Sequence, residues 1–145
     1  MGQIRIVLAN HHPIVRTTLR ALLERESGFE IVGEAANGRE AVVLADYRRP
    51  DVVLLDIHLP IVNGICAASE ILSRNPKAGI ILVSSFADEE YVSQAFKAGV
   101  RGYVYADNAK TDLAAAVGSI AHGGSYLSPS IASQLPQITS SLIPG

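Results

Sequence analysis

Pro50-Asp51-Val52-Val53-Leu54-Leu55-Asp56-Ile57-His58-Leu59-Pro60 decides the fold. Four aliphatic residues without polar alternation mark a strand covered on both faces, and such strands belong to parallel sheets flanked by helices. The run stops abruptly at Asp56, between two prolines that bound the segment.

Working outward, the same pattern repeats. Ile4-Arg5-Ile6-Val7-Leu8, Glu30 to Ala35, Ile80 to Val83 and Tyr103-Val104-Tyr105 read as four further strands. Between them lie helical stripes. Val15, Leu19, Leu22 and Leu23 follow Pro13, and Gly28 ends that pattern. Asn37 with Glu40 forms a capping signal before Ala41, Leu44 and Ala45. Ile65, Ala68, Ile71 and Leu72 precede Pro76. Asp88 is the expected cap of a fourth helix that carries Glu89, Glu90 and Lys97 and stops at Gly99. Leu113, Ala116, Val117 and Ile120 make a fifth, closed by Gly123-Gly124. Strands alternating with helices predict a doubly wound α/β fold: five parallel strands in the flavodoxin-like order 2-1-3-4-5, with five helices.

Composition narrows the function classes. The 145 residues carry 12 Lys and Arg against 14 Asp and Glu, a net charge of −2. That balance argues against a stand-alone nucleic-acid binder, which carries a basic excess. With 48% hydrophobic residues the chain has material for a core. Cys66 is the single cysteine, so no internal disulfide forms and a reducing, cytoplasmic setting is expected. Its place beside Ala67 and Ala68 on a helix predicts a packed thiol rather than a reactive one. No apolar run reaches membrane-spanning length, so no membrane association is expected. From Leu113 to Gly145 there is no Asp, Glu, Lys or Arg. Residues 1–125 read as one domain and 126–145 as a C-terminal extension, with a helical turn or two at Ser130 to Leu135 and linker-like sequence from Thr139.

In a doubly wound sheet, chemistry gathers at the carboxyl ends of the strands. Here those ends offer Asn10, His11 and His12, then Asp56 and His58, then Ser84 and Ser85, then Ala106 and Asp107. Spacing alone leaves two readings of Asp56 open: a nucleophile or ligand, and a loop acid that caps nearby N–H groups. Adjacent histidines in a loop are usually solvated, and a metal site at His11, His12 and His58 is the lesser reading.

Several motifs together bear a family resemblance. They are Ala9-Asn10-His11-His12-Pro13, Val32-Gly33-Glu34-Ala35-Ala36-Asn37-Gly38, the stretch from Pro50 to Pro60, Asn63-Gly64, Ala98-Gly99-Val100-Arg101-Gly102-Tyr103 and Gly123 to Pro129. With them the chain resembles the receiver domains of two-component response regulators of the NarL/FixJ (LuxR) type, over about Ile4 to Leu135. The resemblance implies a regulatory module rather than an enzyme. It matches Asp56 to the phosphoacceptor, Ser84 to the hydroxyl that contacts the phosphoryl group, and Tyr103 to the switch aromatic. It implies a sensor histidine kinase as phosphodonor, a helix-turn-helix output domain beyond this chain for DNA binding, and a homodimer. The family carries two acids after the first strand and a Lys after the fifth, where this chain has Asn10, His11 and Ala106.

That departure has a physical consequence. Mg²⁺ wants carboxylate oxygens, and Asp56 alone supplies one negative charge. Phosphoryl transfer depends on cations that neutralise the transferred oxygens. The expectation is therefore an atypical receiver with weak Mg²⁺ binding, no other cofactor, and weak or absent phosphorylation at Asp56. The alternative is a phosphorylation-independent receiver controlled by a ligand or a protein partner. A more distant one is an enzyme or cofactor binder on the same fold. A second acid two residues after Asp56, as a phosphatase of the haloacid dehalogenase type requires, is replaced by His58. A Ser/Thr/Gly-rich phosphate loop after the first strand, as in flavodoxins, is replaced by Asn10 to Pro13.

Overall fold

The computed structural model describes residues 3–85 and 89–134. The elements run β1 (Ile4–Ala9), α1 (Pro13–Glu24), β2 (Phe29–Ala35), α2 (Gly38–Arg48), β3 (Val52–Asp56), α3 (Gly64–Arg74), β4 (Gly79–Ser84), α4 (Glu89–Lys97) and β5 (Gly102–Tyr105). A single 3₁₀ turn over Ala106–Asn108 leads into α5 (Ala109–Ala121), followed by β6 (Tyr126–Leu127) and α6 (Pro129–Gln134). All pairings are parallel, in the order β2-β1-β3-β4-β5-β6.

Local signals behave as their chemistry dictates. Pro13 opens α1, where its missing N–H costs nothing. Asn37 Oδ1 accepts from Glu40 N at 2.9 Å, and Glu40 Oε1 accepts from Ala36 N at 2.9 Å, so α2 begins with reciprocal caps. Gly99, at φ +101°, turns the chain after α4. The expected cap at Asp88 lies outside the described residues.

The sixth strand goes beyond the five expected from sequence, whereas the helical turn or two expected at Ser130 to Leu135 is the short α6, Pro129–Gln134. β6 is only two residues long, between a Gly-Gly turn and a proline, and no periodicity can be read from so short a run. Backbone bonds seat it: Tyr126 N donates to Arg101 O at 2.8 Å, and Ser128 N to Tyr103 O at 3.0 Å. Ile131 of α6 is fully buried. Within the uncharged stretch, Leu113, Ala116, Val117, Ile120 and Ser128 are buried as well.

The sheet has two apolar faces, and strand parity assigns residues to them. Val53, Leu55, Ile80, Leu82 and Tyr103 pack in one cluster, with residues of α2, α3 and α4. Ile6, Leu8, Val52, Leu54, Ile81, Val83 and Val104 pack in the other, with residues of α1 and α5. Successive side chains of a strand point to opposite faces. Asn10, Asp56 and Ala106 each continue the parity of the second set, which directs all three toward α1 and α5.

Candidate functional site

Asp56 closes β3, opposite Val83 of β4 in the strand register, and is partly exposed. Asn10, just past β1, is buried, and so is Ser84 at the end of β4. Asn10, Asp56, His58, Ser84 and Ala106 line one cavity of about 490 Å³. Two of the residues singled out from sequence lie elsewhere. His11 is exposed, outside the lining, with its ring tilted by 36° against that of His12 at 4.1 Å between centroids. Tyr103 is fully buried on the opposite face of the sheet, as its odd position in the strand requires.

The cavity also takes residues that strand ends alone do not announce. Ile14, Val15, Leu19 and Leu22 of α1 form one wall, and Val83 and Ala109 continue it. Val15, Leu19, Leu22 and Leu23 all belong to one helical stripe in the sequence. Leu19 and Leu23 are buried, whereas Val15 is 41% exposed and opens the stripe toward the cavity. His12, Asp107 and Lys110 complete the polar rim.

The electrostatics follow from who holds whom. Among the described residues, Asp56 Oδ1 accepts a single long bond, from His58 N at 3.4 Å, and no ion pair to Asp56 forms. Asn10 Oδ1 accepts from His12 N at 2.9 Å, and Asn10 O accepts from Arg16 at 2.7 Å. The cations of α1 are engaged away from the cavity. Arg16 Nε pairs with Glu34 at 3.1 Å, and Arg20 pairs with both Glu34 and Glu24. The hydrogen bond to Glu34 holds the Arg20 guanidinium above its ordinary pKa. At the rim the Tyr105 hydroxyl donates to Asp107, and that bond raises the Tyr105 pKa. Lys110 is the one Lys or Arg among the described lining residues, and it is solvent-exposed.

Behind His58 lies a smaller hollow, where His58 meets Tyr91 edge-on at 5.9 Å between centroids. Cys66 borders it and is exposed, which corrects the expectation of a packed thiol. The inward face of α3 is made by Gly64, Ala67, Ala68 and Ile71, and that spacing turns Cys66 outward.

A Mg²⁺ ion does not fit this donor set. Asp56 supplies the one carboxylate at the polar end, the Asn10 carbonyl oxygen is engaged by His12 N–H, and His11 stands outside. Among the described residues no three His, Cys, Asp or Glu side chains gather in a metal-binding group.

Comparison with known proteins agrees with this architecture. The response regulator receiver domain family matches residues 6–118. The chain is 34% identical over 134 residues to the transcriptional regulatory protein DegU of Brevibacillus brevis, covering 92% of this chain and 57% of DegU. It is 39% identical over 113 residues to the transcriptional regulatory protein PdtaR of Mycobacterium tuberculosis, covering 78% of this chain and 54% of that protein. It thus spans little more than half the length of these curated relatives. A LuxR-family two-component response regulator from Aurantimonas sp. SI85-9A1 superposes with a TM-score of 0.90 at 34% identity, over 96% of this chain and 99% of that one. The receiver domain of the putative regulator NarL from Mycobacterium tuberculosis gives 0.82 at 29% identity, over 85% and 99%. Among the described residues no helix is long and apolar enough to cross a membrane. The strand-end site, the sheet order and these likenesses converge: the chain belongs to the response regulator receiver domains, in their NarL/LuxR-type branch.

Proposed function

We propose that this chain is the regulatory receiver of a longer transcriptional regulator, and that its Asp56 accepts a phosphoryl group poorly. One observation carries the reading: Asp56 is the one carboxylate at the polar end of its cavity, with Asp107 out at the rim, and no ion pair reaches it among the described residues. Phosphoryl transfer is catalysed by positioning and by charge neutralisation, and both depend on groups that Asn10, His11 and Ala106 do not supply. Output through DNA, and a sensor kinase upstream, belong to the longer protein.

Intact mass after treatment with acetyl phosphate and Mg²⁺ tests this reading. The expected result is little or no gain of a phosphoryl group on the wild type. Stoichiometric modification, lost in Asp56→Asn, overturns it.

A second reading is control by a ligand without phosphate, and the aliphatic wall from α1 favours it. Pairing of two copies is also proposed. α1 leaves Ile14 82% exposed, next to the half-exposed Val15, and exposed aliphatic side chains of this kind favour association. Sedimentation at micromolar concentration checks this, and monomer alone refutes it.

A further inference from the structure

The cavity at Asp56 is built for more than a phosphoryl group. At about 490 Å³ it falls within the range of small-molecule sites. Its two ends differ in chemistry. Asn10, Asp56 and Ser84 make a polar end on the sheet edge, while Ile14, Val15, Leu19 and Leu22 make an aliphatic wall along α1. Ala106 and Ala109, small side chains at the start of the last helical segment, leave the space between the two ends open.

Charge selects the ligand. The lining holds Asp56 and Asp107 against Lys110. Asp107 accepts the Tyr105 hydroxyl, and Lys110 is turned to solvent at the rim. Asp56 is left with one long backbone bond and no ion pair among the described residues. A carboxylate at the edge of a cavity with an apolar wall gains from a charged hydrogen-bond donor that displaces its water. A metal ion lacks further ligands here, whereas an organic ammonium needs only the one carboxylate and its own water. From this geometry we infer that the cavity binds an amphipathic small molecule whose primary ammonium pairs with Asp56 and whose apolar body lies along α1. This deepens the ligand-controlled reading of the receiver. Binding is read without any phosphodonor, so the two proposals succeed or fail separately.

The test titrates the protein with 4-phenylbutylamine, 4-phenylbutanol and 4-phenylbutyrate, three probes with one apolar body and three heads, followed by backbone amide chemical shifts. The amine is expected to bind at least about tenfold more tightly than the alcohol, the worth of one charge-assisted bond. It should shift amides of Asn10, Asp56 and α1 together. Asp56→Asn, which keeps the shape, should reduce amine affinity by about the same factor and leave the alcohol unchanged. Ala106→Lys fills the cavity and brings its own ammonium, so it should abolish both. Equal binding of the butyrate, or unchanged amine affinity in Asp56→Asn, overturns the proposal. So does equal affinity for Nα-acetyl-lysine amide, which lacks the apolar body and stands for a lysine on a partner protein.

Discussion

Gly64 lies directly against the backbone of Asp56: a Cβ added at Gly64 would sit 2.4 Å from the Asp56 carbonyl oxygen and 2.8 Å from Ile57 Cα. Gly64 N also donates to Ile57 O at 2.9 Å. The first residue of α3 is thus the floor on which the Asp56 turn rests, and the neighbouring atoms are backbone, which cannot step aside. Gly64→Ala is expected to cost about 3 kcal/mol in stability, as for other overpacked sites, and to displace the amide resonances of Asp56 to His58. Urea denaturation measures the first. A wild-type midpoint would refute the close approach.

The same turn contains a conformational cost at its tip. Ile61 has φ +70° and is 76% exposed, an unfavourable backbone region for a β-branched residue with no compensating burial. Ile61→Gly is expected to raise stability by about 1 kcal/mol, the left-handed penalty less the added entropy of the unfolded chain. A loss of stability on thermal or chemical melting would show that Ile61 makes a contact worth more than its strain.

Ser128 joins three elements at one buried hydroxyl. Its Oγ donates to Asp112 Oδ2 at 2.8 Å and accepts from Tyr105 N at 2.9 Å, tying the segment after β6 to α5 and to β5. Ser128→Ala leaves a buried carboxylate oxygen and a backbone N–H without their partner and should cost about 3 kcal/mol. In a double-mutant cycle with Asp112→Asn the two losses should be less than additive, because both remove one bond. Additivity would mean that the hydroxyl and the carboxylate act independently.

Tyr126 gives the fold an alkaline limit. Burial first, then the charge and hydrogen bond of Asp112, push its hydroxyl above the ordinary value of 10.0. The folded state therefore holds this proton more tightly than the unfolded chain. The stabilisation is complete below pH 10 and is lost as pH rises through the folded value. Between about pH 9 and 12, wild-type stability should fall more steeply than that of Tyr126→Phe. Parallel curves for the two proteins would remove Tyr126 from the linkage.

The β3 run and the capped helices made the fold legible because each carries its own period. Val52 to Leu55 has no polar alternation, and Asn37 with Glu40 writes the start of α2 in two residues. Strand ends likewise pointed to Asp56, Ser84 and Asn10. The rest was hidden for definable reasons. β6 is two residues long and is held by bonds to Arg101 and Tyr103 that no local pattern encodes. The aliphatic wall of the site is part of the α1 stripe, and only tertiary packing separates Leu19 and Leu23, which are buried, from Val15, which is not. Cys66 sits among alanines in sequence yet faces outward, since one helical position is a 100° turn. Tyr103 and Asp56 belong to one family pattern but to opposite faces of the sheet, a fact of strand parity rather than of motif.

The decisive experiment on the site restores what the strand ends lack. Replacing Asn10 and His11 by Asp adds two carboxylates after β1, and Ala106→Lys returns an ammonium after β5. Like charges crowded at one site repel when no metal is present. The triple variant is therefore expected to melt below the wild type in the absence of metal and to regain stability with Mg²⁺, by preferential binding to the folded state. It should also become phosphorylated by acetyl phosphate, and the modification should vanish when Asp56→Asn is added. Position 11 is the weakest of the three, because His11 is exposed and lies outside the cavity lining. The double variant with Asn10→Asp and Ala106→Lys alone should consequently show Mg²⁺ stabilisation close to that of the triple. Thermal melts with and without Mg²⁺ and intact mass after phosphodonor treatment give both readouts. Wild-type modification as extensive as that of the triple variant would show that the missing acids and lysine do not limit transfer. Absence of modification in every variant would place the limit in the position of Asp56 itself, on the turn that Gly64 supports.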